Sequence, residues 1–398
     1  MRVADNGKRR QQIPSSAPAC CRQPSLHCDG RGELNINRVG NGSGHENGDR
    51  RQWIQNRKVH VRSISPGKLE SAVMAAPEIA VALLDDYQNV ALSAAPWNRL
   101  PANVTVVAFN EHVTDVDELI ERLAPFDVIV AMRERTPIQR DLIEALPKLK
   151  LVVTTGLVNV AIDVAACAER GIPVCGTGAT ETPTSELTWG LILALLRHIP
   201  FEDAAMHNGA WQTTMGVDLD GKTLGILGLG RLGALVARVG IAFGMKVIAW
   251  SQNLTEAHAI EHGARRVEKN EFFAQSDVLT IHTILSKRTR GLVARDELSL
   301  MKPTAYLINT SRGPIVDEDA LHIALTSGKI AGAALDVYDY EPLPRNHPLR
   351  RLPNVVLTPH LGYVTQNNYA VYYNDALADI EAWLDGFPIR IIEPRKPR

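Results

Sequence analysis

An arginine, a glutamate and a histidine follow one another in the last quarter of the chain. They are Arg312 in Asn-Thr-Ser-Arg-Gly, Glu341 in Tyr-Glu-Pro and His360 in Thr-Pro-His-Leu-Gly. An arginine suits a carboxylate, because its planar fork makes two charge-assisted hydrogen bonds and keeps its proton. A histidine titrates near neutral pH and can give a proton to an alkoxide or take it back. A carboxylate on the far ring nitrogen orients the imidazole and favours its protonated form. A guanidinium close to a carbonyl also stabilises the charge that builds on its oxygen. The three types together suit chemistry at a carbon beside a carboxylate.

Upstream lies Gly228-Leu-Gly230-Arg231-Leu232-Gly233, with the spacing Gly-x-Gly-x-x-Gly. It follows a predicted strand at 223–227 and opens a predicted helix at 231–243. In that setting Gly228 permits a tight turn, Gly230 lets the backbone approach a pyrophosphate, and Gly233 lets helix and strand pack closely. The helix N-terminus then offers free N–H groups and a positive dipole end to phosphates. A dinucleotide beside the trio implies hydride transfer. The strand at 246–250 ends in Ser251-Gln-Asn, where an acid would ordinarily hold the ribose hydroxyls. Arg265 and Arg266 come only later. Ser251 and Asn253 can hydrogen-bond either a hydroxyl or a phosphate, so these residues do not choose between the two forms; NAD is the expected cofactor, with NADP left open.

Two alternating strand–helix series position these residues. Short apolar runs at 79–84, 104–109, 128–132, 151–154 and 172–175 predict the first set of strands. Thr136-Pro137 predicts a cap and a first helical position for a helix through 146, and Asp163 a cap for 164–170. The second set of strands is expected at 223–227, 246–250, 278–282, 305–309, 331–335 and 355–357, with a helix capped by Asp317. Between the series, 185–198 is apolar on nearly all sides, which predicts a buried helix at a domain or subunit interface. A last helix at 366–384 follows the second series and is expected to return to the first. The expected fold is α/β, two parallel-sheet domains with a cleft between them. The expected boundaries are 74–184 plus 366–398 for a discontinuous substrate domain and 185–365 for the dinucleotide domain.

The bulk properties fit this. The chain has 398 residues, 45% hydrophobic and 22% charged, with a net charge of -1, so nothing calls for nucleic acid or a membrane surface. The apolar run 187–196 is too short to span a bilayer. Five cysteines show no zinc-type spacing, and no metal is expected; Cys167 and Cys175 read as core thiols and the setting as cytosolic. Residues 1–73 are polar and lack periodicity, which predicts disorder or upstream sequence ahead of a start at Met74.

The motifs resemble those of the D-isomer-specific 2-hydroxyacid dehydrogenases. The resemblance is carried by the glycine fingerprint, Asn309-Thr-Ser-Arg-Gly313, Val316-Asp-Glu-Asp-Ala-Leu321, Asp336-Val-Tyr-Asp-Tyr-Glu341-Pro-Leu and Thr358-Pro-His-Leu-Gly362, in family order. It implies two Rossmann-like or flavodoxin-like domains, a cofactor in the cleft and a homodimer. It implies Arg312 on the substrate carboxylate, and His360 as acid/base paired to Glu341. By the same likeness Asp336 holds the nicotinamide amide, while Ser251, Thr283, Thr310 and Gly362 line the cofactor. The segment Thr155-Gly-Leu157-Val158-Asn159 resembles one whose amides bind the substrate carboxylate. Three departures stand out: Ser251 in place of an acid, Tyr363 in place of a small residue, and Ile284-Leu-Ser in place of Pro-Leu-Thr. The expected function is an NAD(P)-dependent oxidoreductase of a small D-2-hydroxy or 2-oxo acid. The alternative is a corepressor-like assembly protein of the same fold with little turnover. A related formate dehydrogenase would carry Gln at the position of Glu341.

Overall fold

The computed structural model describes residues 79–394, so the segment 1–73 and the start at Met74 lie outside the described residues. Among the described residues, twelve strands form two sheets. The first contains β1 (Ile79–Leu83), β2 (Val104–Ala108), β3 (Val128–Ala131), β4 (Leu151–Thr154) and β5 (Val174–Gly176). Their order is β2-β1-β3-β4-β5, all parallel. The second contains β6 (Thr223–Leu227), β7 (Lys246–Trp250), β8 (Arg265–Arg266), β9 (Val278–Ile281), β10 (Tyr306–Asn309), β11 (Gly332–Leu335) and β12 (Val355–Leu357). Their order is β12-β11-β10-β9-β6-β7-β8, again parallel. The first order is flavodoxin-like and the second is the Rossmann order with one added strand.

Parallel strands buried on both faces read as continuous apolar runs. Alternate residues feed opposite faces. In the first sheet Val81, Leu83, Val128 and Val130 join one core, and Ala82, Leu84, Ile129 and Ala131 the other. The second sheet divides in the same way, with Leu227, Leu279 and Ile281 on one side and Ile226, Val247 and Val278 on the other. The helix Pro183–Leu196 belongs to the latter core, where Trp189 stacks at 5.0 Å on Phe243.

The last helix, Gln366–Leu384, places Tyr369, Tyr372, Tyr373 and Ile380 in the core of the first sheet. After it the chain adds an edge: Gly176 donates to the Arg390 carbonyl and Ile392 to that of Val174. Cys167 and Cys175 are buried free thiols. Among the described residues no helix is long and apolar enough to cross a membrane.

Some local expectations fail for physical reasons. The helix expected from Pro137 begins at Arg140, after an uncapped Gln139. Ile138 instead forms a parallel bridge with Ile162, and the Thr136 hydroxyl donates to Asp85. The two-residue strand Arg265–Arg266 and the helix Ile199–His207 lack a readable period.

One buried acid gives this fold a pH dependence. Asp379 has 0% exposure, with an Arg390 nitrogen 3.0 Å from its carboxylate. Burial pushes its carboxyl up to about 7, against the pull of Arg390 and with a push from Asp375. An acid raised in the folded state favours folding fully below its unfolded value of about 3.9, and that contribution is lost as pH rises through about 7. Thermal unfolding at pH 5 and pH 8 should therefore show Asp379→Asn gaining Tm relative to the native chain at the higher pH. An unchanged difference would discard this account.

Candidate active site

Every residue singled out from the sequence follows the carboxyl end of a strand, where open parallel sheets form their crevices. The glycine loop leaves β6, which pairs with both β7 and β9 and so marks the point where strand order reverses. Gly228 has φ +98°, and a Cβ there would meet the Thr283 backbone at 2.9 Å. A Cβ on Gly233 would lie 2.3 Å from the Gly228 carbonyl, so helix Arg231–Ala242 must approach the turn this closely. Gly230 differs, because a Cβ there would meet nothing within 4 Å. Protein packing does not require that glycine; a group approaching the backbone from outside would. Gly230 also caps the helix with no side-chain bond to its first turn, which leaves those N–H groups for a phosphate. The residues present fit a dinucleotide. Arg231 pairs loosely with Glu181 at 3.4 Å, both largely exposed, and Leu232 is half-buried.

Ser251 is half-buried just beyond β7. Arg265 is held by Glu271 and Gln275, and Arg266 by Glu268 and the Leu254 carbonyl. Thr310 and Thr188 share a buried hydroxyl bond of 2.9 Å, and the Thr283 carbonyl accepts from Ser311. His282, beside Thr283, is pushed down to about 4 by burial and meets Thr280, so it is neutral at ordinary pH.

The His360 ring meets Glu341 at 2.6 Å through Nδ1. The other Glu341 oxygen accepts from the Tyr338 N–H at 3.0 Å, which fixes the carboxylate. His360 itself has φ +54°, a conformation that needs support from its surroundings. Asp336 gives that support. Its buried carboxylate accepts from the Thr358 hydroxyl and from the N–H groups of Leu361 and Gly362, while its carbonyl accepts from the His360 N–H. Burial pushes the Asp336 carboxyl up; these donors and the nearby His360 oppose it. The Gly362 carbonyl in turn accepts from Thr184.

Arg312, after β10, reaches residues that follow β3. Its Nη2 donates to Glu134 at 2.9 Å and its Nη1 to the Ser311 carbonyl. Burial pushes the Glu134 carboxyl up, but Arg312 and Arg133 outweigh it and hold it below the usual range. Contacts continue from Arg133 to the Tyr363 ring at 5.9 Å and from that ring to His360 at 5.4 Å. Arg312 and His360 therefore border one cluster. The segment after β4 flanks it. The N–H groups of Leu157, Val158 and Asn159 have no acceptor within the described protein. The Asn159 side chain is spent on the loop itself, donating to Arg133 and Thr154 and accepting from Ala161.

Sequence reasoning missed Glu134 as the partner of Arg312 and Asp336 as the clamp on the His360 loop. The position of Glu134 in Met132-Arg-Glu-Arg135, beyond a strand end, was the available signal for the first. Away from the cluster, His258, Glu261 and His262 gather at the surface with ligand-type atoms within 4.8 Å of one another.

Two parallel sheets with a cluster of polar residues at their strand ends define a doubly wound nucleotide-binding protein. Residues 189–362 match the family model described as "D-isomer specific 2-hydroxyacid dehydrogenase, NAD binding domain". The chain is 43% identical over 236 residues to the glyoxylate reductase of Aeropyrum pernix, covering 57% of this chain and 70% of that protein. It is 40% identical over 254 residues to the D-3-phosphoglycerate dehydrogenase of Methanocaldococcus jannaschii, covering 63% of this chain and 48% of that one, so it spans about half of that relative's length. The crystal structure of a phosphoglycerate oxidoreductase from Vibrio cholerae superposes with a TM-score of 0.74 at 40% identity, over 77% of this chain and 99% of that one. The chain belongs to the D-isomer specific 2-hydroxyacid dehydrogenase family.

The glycines separate fold from binding. Gly233→Ala should lower Tm, because its Cβ must displace the Gly228 carbonyl. Gly230→Ala should leave Tm near the native value and weaken dinucleotide binding, measured by nicotinamide fluorescence titration. Equal binding by Gly230→Ala and the native chain would remove the phosphate reading of that glycine.

Proposed function

We propose that the chain is an NAD(P)-dependent oxidoreductase that interconverts a small D-2-hydroxy acid and its 2-oxo acid. The observation that carries this reading is the 2.6 Å contact of His360 with a Glu341 carboxylate that is itself anchored. A nicotinamide dinucleotide, when bound, supplies or accepts the hydride. Gly228, Gly230, Arg231, Leu232 and Gly233 hold its phosphates, and Ser251, Thr283, Thr310, Asp336 and Gly362 line its remaining length.

In reduction, the Nε2 proton of His360 passes to the oxygen of the substrate carbonyl, and Glu341 stabilises the imidazolium that gives it. In oxidation the same nitrogen takes the proton from the hydroxyl. Arg312 binds the carboxylate and lies beside the carbonyl oxygen as its charge grows. The open N–H groups of Leu157, Val158 and Asn159 support the carboxylate from the other sheet. In this reading residues 74–184 with 366–398 are the substrate domain and 185–365 the cofactor domain. A cytoplasmic homodimer completes it. The dimer is supported by exposed apolar side chains in one segment, Ile199, Phe201, Met206, Trp211 and Met215.

Arg312→Ala should cut kcat/KM for 2-oxo acids by at least about 100-fold while dinucleotide binding persists. Near-native kcat/KM would refute the role. Glu341→Gln should move the pH–rate profile for reduction to lower pH, since the imidazolium loses its charged partner. An initial-rate panel that crosses NADH and NADPH with several 2-oxo acids tests the activity itself. Dinucleotide binding with no turnover on any of them would favour an assembly role.

A further inference from the structure

The triplet His258, Glu261 and His262 stands apart from the strand-end cluster, and its parts are already arranged. His258 lies in the helix Glu256–Glu261 and His262 is its C-terminal cap, so the two rings rise from one face, a turn apart. Their centroids are 4.6 Å apart. Ala259, fully buried, seats the helix, and the N–H groups of His262 and Gly263 close its end on the carbonyls of Ala259 and Ile260. Nε2 of His258 lies 3.0 Å from the carbonyl of Leu229, within the glycine turn. A carbonyl only accepts, so in the neutral ring this nitrogen carries the proton and Nδ1 presents its lone pair. Oε2 of Glu261 stands 3.5 Å from that Nδ1. Two ligands on one tetrahedral zinc ion, each about 2.0–2.1 Å from it, lie about 3.3 Å apart. This pair is already near ligand spacing, and all three residues offer such atoms within 4.8 Å of one another.

We propose that Nδ1 of His258, the Glu261 carboxylate and one ring nitrogen of His262 form a binding site for a divalent transition-metal ion of the zinc class. The site is independent of the oxidoreductase reading. Two imidazoles and one carboxylate suit zinc and exclude magnesium and calcium, which favour shells of oxygen. The bond from His258 to Leu229 is the contact that a ligating histidine makes through its other nitrogen, and it fixes the ring. Cysteine spacing, which predicts no metal, does not bear on a site of this composition. Three ligands within five residues leave little chain to order. The Glu261 side chain is 70% exposed and can swing inward to close the remaining distance. Because His258 ends on Leu229, a bound ion ties this helix to the glycine turn.

The full chain, free of any affinity tag and stripped with chelator, should be dialysed at pH 8 against a series of buffered zinc concentrations. Few protons compete for imidazole nitrogen at that pH. The native chain should take up one equivalent of zinc whose half-saturation moves at least about tenfold higher in His262→Ala and in Glu261→Gln. His258→Ala should lose the same equivalent, but it also loses the bond to Leu229. His262→Ala keeps that bond, and its Tm in chelator should match that of the native chain. The five cysteines are rival ligands, so cobalt should replace zinc in a parallel absorption titration. Nitrogen and oxygen ligands give cobalt only weak d–d bands, whereas thiolates add an intense charge-transfer band. The weak bands should appear with the native chain and be missing in His262→Ala. Magnesium should leave them unchanged at equal concentration. Zinc uptake identical in the native chain and His262→Ala overturns the proposal. So do displacement of cobalt by magnesium and a cobalt spectrum of thiolate bands alone.

Discussion

A carboxylate shut away from water must find its hydrogen bonds inside the protein or lose its charge. Asp336 finds them in the short loop between β12 and the last helix, from Thr358, Leu361 and Gly362. That demand sets where His360 stands and makes its left-handed backbone tolerable. The loop could otherwise relax, and the imidazole would lose its alignment with Glu341. Tyr338 ties the same knot from beneath: its N–H holds Glu341, and its hydroxyl meets the carbonyls of Leu335 and Thr358. The proposed proton carrier and its carboxylate partner are thus both anchored to the ends of β11 and β12. Neither depends on surface side chains for its position.

Parallel topology does the rest of the positioning. All strands in a sheet end on the same side, so residues far apart in sequence emerge along one rim. The second sheet delivers the glycine turn, Thr283, Arg312, Asp336 and His360 in this way. The first delivers Arg133, Glu134 and the 155–159 segment. The Arg312–Glu134 ion pair joins the two rims directly. It is partly buried, and breaking one side would leave a charge with poor access to water.

Much of this was legible in the sequence because the signals are local. The glycine fingerprint announces a turn between a strand and a helix within six residues, and Asp163 and Asp317 each cap the helix that follows. Apolar runs located the strands to within a residue or two. The failures are non-local. Pro137 reads as a helix start, yet a bridge from Ile138 to Ile162 delays the helix. β8 is two arginines whose strand character comes only from pairing with β7. Glu134 looks like one more charge in a loop until a partner 178 residues away meets it. Asp336 is similar: its clamp on the His360 loop joins residues 22 to 26 positions apart, and no local pattern announces it.

The return of residues 366–394 to the first sheet bears on how the molecule is made. The seven-stranded half is a continuous stretch and can close its core as it leaves the ribosome. The five-stranded half emerges earlier but stays unfinished, with one face uncovered until Tyr369, Tyr372 and Tyr373 arrive. Contacts of such long sequence separation form slowly, and bare apolar sheet faces invite aggregation while they wait. The half that begins first during translation is therefore the half that finishes last.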